Sequence, residues 1–345
     1  MFFCDPPGAT GVDALYNFGR DDVHEINYVY FHDQEPIHVD LYKDLFDKVV
    51  ENSHDIIFYK GIGNPGHVVV SERGEFVEQL CNMYGWQDHY YFYHGWACQD
   101  WFRGYDKTFL IPRAQDRNPT KTFMSPNRIV AGKRDHRVLF LYQIFKEGLE
   151  NNHISAPRIC PQENVDITEI ALKYNNIYPD IEQVFRDANL PRLFAGEDTQ
   201  IMTSCWLGNY AEAQDSLIYV PTETVYFGRR SHITEKTFKA IALEMPFVLV
   251  APAHSLEYLR EYGFQTFNSV FDESYDQETN DIGRIEKVIK LLKDLDSLSV
   301  KERQQLHRAC LPIVEHNYNH FYRGGLSDVL WPELMSMLDG IRFRS

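Results

Sequence analysis

Four groups of residues in this 345-residue chain have the types and spacing to do chemistry. The first is Phe31-His32-Asp33-Gln34-Glu35-Pro36, directly after the apolar run 26–31. On an extended segment alternate residues share a side, so Asp33 and Glu35 point together, as do His32 and Gln34. A carboxylate at a strand end that faces a cleft can act as a general base. Asp33 and Glu35 are therefore the base candidates, with His32 and His94 behind them; a strand-end turn with capping side chains is the plain alternative.

The second group is Thr222-Glu223-Thr224 followed by the basic stretch 229–239. Thr234 stands where a helix N-cap belongs, and Glu235 and Lys236 fall in the first turn. A carboxylate such as Glu223 near a helix start can accept both hydroxyls of a ribose. Arg230, Lys236 and the exposed N–H groups can hold a diphosphate. A capped surface helix would explain Thr234 and Glu235, but not the clustering of Arg229, Arg230, Lys236 and Lys239. In the third group, Arg128 follows a strand, and Lys133, Arg134 and Arg137 open a helix. Cations in a first turn are unfavourable by about 0.3–1 kcal/mol each unless an anion compensates, so a bound phosphate would explain them. The fourth is the wider segment 101–137, with nine basic and three acidic residues inside a chain of net charge −16. It reads either as a solvated loop or as an anion-facing wall.

The elements that must position these groups alternate between strand and helix. Short β-branched or aromatic runs at 26–31, 55–59, 67–70, 90–94, 122–126, 216–220 and 247–250 predict buried strands. Amphipathic patterns predict helices over 42–51, 75–83, 136–149, 234–243, 255–262, 282–298, 300–323 and 326–341, with Gly263 as a C-terminal stop. Alternation of this kind predicts parallel sheets covered by helices. The polar stretch 151–164 is the expected link between two α/β domains, 1–152 and 153–345, with the terminal helix able to pack back on the first. Polar clusters stand at strand ends, where open α/β sheets bind ligands.

Composition narrows the function. At 44% hydrophobic and 24% charged residues, the chain is an ordinary globular protein. The net charge of −16 argues against a general DNA coat protein. Six scattered cysteines without a CxxC pair suit a reducing compartment and argue against a cysteine zinc site. Residues 1–5 do not read as a signal peptide, and no apolar run of about 18 residues occurs, so a cytoplasmic protein is expected. Neither HExxH nor GxxxxGK[ST] is present, and the histidines show no metal spacing. Asp294-Leu295-Asp296 lies in a helical pattern and reads as solvated surface.

Within these features, Ile233–Ile241 (ITEKTFKAI), Pro246–Pro252 (PFVLVAP), 255–267 and 272–276 resemble the donor-site region of the fucosyltransferase-like, exostosin-related glycosyltransferases, especially a soluble branch of bacteriophages and large viruses. FHDQEP (31–36), VVSE (69–72), DWFRGY (100–105) and 123–137 are similar to that branch as well. The resemblance implies a GT-B fold, two facing Rossmann-like domains with a central cleft. It also implies a metal-independent enzyme with no cofactor, whose UDP- or GDP-linked sugar is held mainly by the C-terminal domain. It would place Glu235 and Lys236 at the donor nucleotide with Glu223 nearby, and Arg128 and Arg137 at the diphosphate across the cleft. Arg230 would add cationic help. An enzyme of this branch would work in the host cytoplasm. Its acceptor would be hydroxymethylcytosine in viral DNA, with a surface glycan, lipopolysaccharide or protein glycan as the alternative. Arg103, Arg113, Arg117 and Lys121 would be the DNA-facing residues. A non-catalytic nucleotide-sugar or glycan-binding module is the reading from another class.

Overall fold

The computed structural model describes residues 2–4, 15–16, 29–32, 36–40, 43–44, 46–47, 66–104, 113–195, 197 and 207–342. Asp33, Glu35, the expected strand 55–59 and residues 105–112 of the basic segment lie outside them. The chain divides into two compact units. One comprises Met1–Ala97, Arg229–His232 and Ser327–Ser345; the other comprises Cys98–Gly228 and Ile233–Leu326.

The first unit is built on a sheet of order Leu15–Tyr16, Phe2–Cys4, Val29–His32, His67–Val70, Gln87–Tyr90. Leu15–Tyr16 is antiparallel to its neighbour, and the remaining pairings are parallel. Val68, Val69 and Val70 are all buried, which a strand covered on both faces requires. Val68 and Val70 join Phe46, Leu80 and Trp86 on one side. Val69 meets Met337 of the terminal helix Gly325–Arg342 on the other. Glu333 of that helix accepts the Phe92 N–H at 2.8 Å. The expected strand 90–94 is instead the strand Gln87–Tyr90 followed by the helix Tyr93–Phe102. The chain turns there because the Tyr93 N–H reaches Ser71 Oγ and the Tyr91 carbonyl rather than a neighbouring strand.

The second unit holds the parallel sheet Ser216–Tyr219, Lys121–Ser125, His153–Ile154. Parallel bridges Tyr219↔Phe247 and Thr222↔Val250 bring 247–250 alongside as a further extended segment. The expected boundary at 152 is displaced. Lys121–Ser125 hydrogen-bonds between two strands that lie beyond residue 152, so the second unit starts at Cys98. The helix His136–Lys146 is buried on nearly every side, from His136 to Ile144. Asp296 is not solvated as its helical pattern suggested. It accepts from the Thr122 hydroxyl and from Asn152 Nδ2, while Asn152 Oδ1 takes the N–H of Thr122 and Phe123. Asp294 does face outward and pairs with Lys290. Among the described residues, no helix is long and apolar enough to cross a membrane.

Gly263 follows the helix Ser255–Glu261 with φ of +87°, and a Cβ there would stand 2.7 Å from His320 Cε1. Left-handed backbone and this contact together exclude side chains. Gly263→Ala is expected to destabilise the protein by about 1–3 kcal/mol, read as a lowered denaturant midpoint.

Candidate functional site

The carboxyl ends of the parallel strands in the second unit carry a dense polar cluster, where α/β sheets bind their ligands. After Ser216–Tyr219 the chain runs through Thr222, Glu223 and Thr224, and the helix Glu235–Ala242 begins close by. Glu223 is fully buried. Its Oε1 accepts the Thr237 hydroxyl at 2.6 Å and the Thr234 N–H at 3.2 Å. Its Oε2 accepts the Thr234 hydroxyl at 2.5 Å and the Thr224 N–H at 3.3 Å. Thr234 does occupy the N-cap, but its side chain caps nothing. The Glu223 carboxylate serves the helix start instead, where the N-terminal partial charge favours an anion. Phe238 and Ile241 of this helix point into the core.

The Lys236 ammonium lies beside that carboxylate. It donates to Thr224 Oγ1 at 2.9 Å, Thr234 Oγ1 at 3.3 Å and Glu235 Oε1 at 2.7 Å, and its side chain keeps 25% exposure. Glu235 is mostly buried. Thr234, Glu235 and Lys236 therefore stand together as the sequence led one to expect. Glu223 stands with them, but its carboxylate is closed off from solvent and cannot take a ribose.

Arg137 has a different role from the one expected. It lies in the same unit as Glu223, is 4% exposed, and donates to the carbonyls of Ile129, Thr222 and Glu223 at 2.7, 2.8 and 3.0 Å. Burial, reinforced by Arg134, pulls its guanidinium down to about 9, which leaves it cationic at neutral pH. A cation in this first turn is thus compensated by carbonyl oxygens, and no anion is needed to explain it. Beside it, His136 Nε2 donates to the Glu223 carbonyl at 3.1 Å, and the ring stacks on Tyr226 with centroids 5.1 Å apart. Burial and the Arg137 charge hold its pKa well below the usual histidine range, so the imidazole is neutral.

Arg230 departs further from expectation. It belongs to the first unit, where Arg230–Ser231 pairs with Arg73–Gly74. Its guanidinium is buried against Glu72 at 2.6 Å, donates to the Ile37 carbonyl and lies over the Phe76 ring. Its 4% exposure, rather than any shortage of N–H groups, keeps it from a diphosphate in solution. Of the expected DNA-facing residues, one is committed inside the second unit and another, exposed, is paired at its surface. Arg117 is buried and donates to the carbonyls of Leu243 and Glu244. Arg113 pairs with Glu244 at 2.6 Å and stacks on Tyr318. Arg103 is exposed and pairs with Asp100, and Lys121 opens its strand. Arg128, just past Lys121–Ser125, is partly exposed, and its charge acts on the nearby Glu197.

In the first unit His32 ends its strand against Phe46, and His94 packs edge-on to His232 with centroids 5.3 Å apart; both are buried. Asp33 and Glu35 lie outside the described residues. Among the described residues no cluster of three or more His, Cys, Asp or Glu side chains could hold a metal ion.

Sequence reasoning missed Ser155 and Glu197. Asn127 links the strand ends: its N–H donates to Ser155 Oγ, its Nδ2 to Ser125, and its Oδ1 accepts the Thr222 hydroxyl. Ser155 then donates to Glu197 Oε1, and Glu197 Oε2 takes the Phe194 N–H. The strand before Ser155 has two residues, too short to leave a pattern, and Glu197 stands in no recognisable motif.

No family model and no curated protein matches the chain. Solved structures of trehalose-6-phosphate synthase are similar to it at a distance. The E. coli enzyme bound with UDP-2-fluoro glucose shares 14% identity over 88% of this chain and 68% of its own, with a TM-score of 0.37. An apo structure of OtsA shares 15% over 88% and 67%, with a TM-score of 0.36. At that level of likeness, activity has to be argued from the chain's own residues. The α/β class with parallel sheets expected from the sequence is present in both units.

Burial raises the Glu197 carboxyl above its ordinary value, against the pull of its hydrogen bonds and Arg128. The folded state then holds this proton more tightly than the unfolded chain, so stability rises as pH falls through the raised value. Compared with Glu197→Gln, the wild-type protein is expected to gain stability when pH is lowered from about 7 to about 5, the range above the ordinary glutamate value. Paired thermal melts across that range check the sign.

Proposed function

We propose that the chain is a GT-B glycosyltransferase that moves a sugar from a nucleoside diphosphate to a carbohydrate hydroxyl. The observation that carries this reading is Lys236, an ammonium fixed in the first turn of Glu235–Ala242 at the carboxyl edge of a parallel sheet, yet still open to solvent. A cation held beside helix N–H groups suits the leaving diphosphate, whose charge grows as the glycosidic bond breaks. The TEKTFK segment that supplies it also carries the sequence resemblance to the exostosin-related enzymes, which supports the reading. Arg128 is the second cation proposed for the diphosphate, and Asp33 or Glu35 the base that takes the acceptor proton.

A carbohydrate acceptor fits better than DNA. A DNA acceptor needs the basic segment 101–137 as its contact surface, but Arg117 and Arg137 are buried on carbonyls and Arg113 is paired with Glu244. Contacts to phosphates are what hold proteins on DNA, and two of these three cations are too deeply buried to make them. The net charge of −16 favours a neutral glycan in the same way.

Lys236→Ala is expected to raise the donor KM at least about tenfold, the effect of losing one charge-assisted hydrogen bond, with an unchanged circular dichroism spectrum. An unchanged donor KM would overturn the donor assignment. Turnover is expected to survive EDTA, and a loss restored by Mg²⁺ or Mn²⁺ would replace the metal-free reading. Of Asp33→Asn and Glu35→Gln, the variant lacking the base should lose about 10²–10⁴ in kcat and keep its donor KM. Mass spectrometry of glycan and hydroxymethylated DNA acceptors after incubation with UDP- and GDP-sugars decides the acceptor.

A further inference from the structure

Resting on the donor reading above, we propose that Glu223 is a positioning residue: it aims the Lys236 ammonium by fixing the two threonines on which that ammonium rests. Direct contact with a ligand is closed to it, because its side chain is fully buried. Its effect reaches the surface through Thr224 and Thr234.

A threonine hydroxyl has one proton to give and two lone pairs to offer. The Thr234 hydroxyl gives its proton to Glu223 Oε2 at 2.5 Å, so its lone pairs face elsewhere, and Lys236 Nζ lies on that side at 3.3 Å. Thr224 is held by its N–H on the same carboxylate oxygen and presents its own Oγ1 to Lys236 at 2.9 Å. Glu235 Oε1 takes the remaining direction at 2.7 Å. The ammonium thus has three N–H bonds and three oxygen partners, two of them set by one carboxylate. That carboxylate is itself anchored. The Glu223 N–H bonds the Val250 carbonyl at 2.9 Å, and its carbonyl receives His136 and Arg137. Remove the carboxylate and the Thr234 hydroxyl is free to rotate its proton toward Lys236, which turns an acceptor into a repulsive neighbour.

The test is a double-mutant cycle read by isothermal titration with UDP and GDP on the full chain. Glu223→Gln is expected to weaken the nucleotide that wild type binds at least tenfold. In the Lys236→Ala background the same substitution is expected to add less than twofold, because the group it positions is gone. A Glu223 that matters only for general structure would cost the same in both backgrounds, and that result overturns the proposal, as does unchanged affinity in Glu223→Gln. Should Glu223→Gln fail to fold, Thr224→Val carries the test. It is isosteric, removes one of the Lys236 acceptors and leaves the Glu223 side-chain bonds in place; it is expected to weaken binding severalfold, again masked by Lys236→Ala. Failure of the donor reading looks different: Lys236→Ala alone binds like wild type, or wild type binds neither nucleotide, and either result removes the proposal with it.

Discussion

Everything around the helix start Glu235–Ala242 depends on one buried carboxylate. A charge in the interior costs several kcal/mol unless it is fully hydrogen-bonded. Glu223 meets that condition with two hydroxyls and two backbone N–H groups, aided by the partial positive end of the helix. The cost of leaving any of these donors unmatched makes the arrangement close to all-or-none. The loop 222–224 and the first turn of the helix therefore behave as one piece, and Lys236 inherits its position from them.

The same piece is tied to the sheet by two adjacent residues of another helix. His136 is neutral and Arg137 is charged, yet both donate to the Glu223 carbonyl. Their difference in charge follows from their ordinary values: burial lowers both, and the guanidinium starts high enough to stay charged where the imidazole loses its proton. A carbonyl accepts only, so the imidazole carries its proton on Nε2. The first unit solves a similar problem with Glu72, which is buried and accepts the Ile37 N–H and the Arg230 guanidinium. Burial still raises the Glu72 carboxyl above its ordinary value, because desolvation outweighs the arginine.

The sequence was informative where burial leaves a periodic trace. The strands His67–Val70, Lys121–Ser125 and Ser216–Tyr219 and the long helices after 281 stand close to where apolar runs placed them. Thr234, Glu235 and Lys236 were legible as a helix start from residue types alone, although the carboxylate that serves that start, Glu223, comes from outside the motif. What a charged side chain reaches is not local. Arg117, Arg137 and Arg230 look like surface cations in a one-dimensional string, and each turned inward to carbonyls or a carboxylate supplied from distant parts of the chain. The domain boundary failed for a related reason, since strand pairing across about ninety residues leaves no mark on the polar stretch 151–164. Ser155 and Glu197 were invisible because a two-residue strand has no period.

Burying arginines changes what an approaching anion meets. At a distance the field is that of the whole chain, net −16, however deep each cation lies. At contact, Arg117, Arg137, Arg230 and Arg284, each no more than 6% exposed, have little to offer a phosphate oxygen. A diphosphate, if it is the ligand proposed, would therefore be repelled on the way in and rewarded only in the last few ångströms. With a screening length of about 8 Å at physiological ionic strength, added salt should hasten that encounter rather than slow it, the reverse of what electrostatic steering does for a protein with a basic mouth.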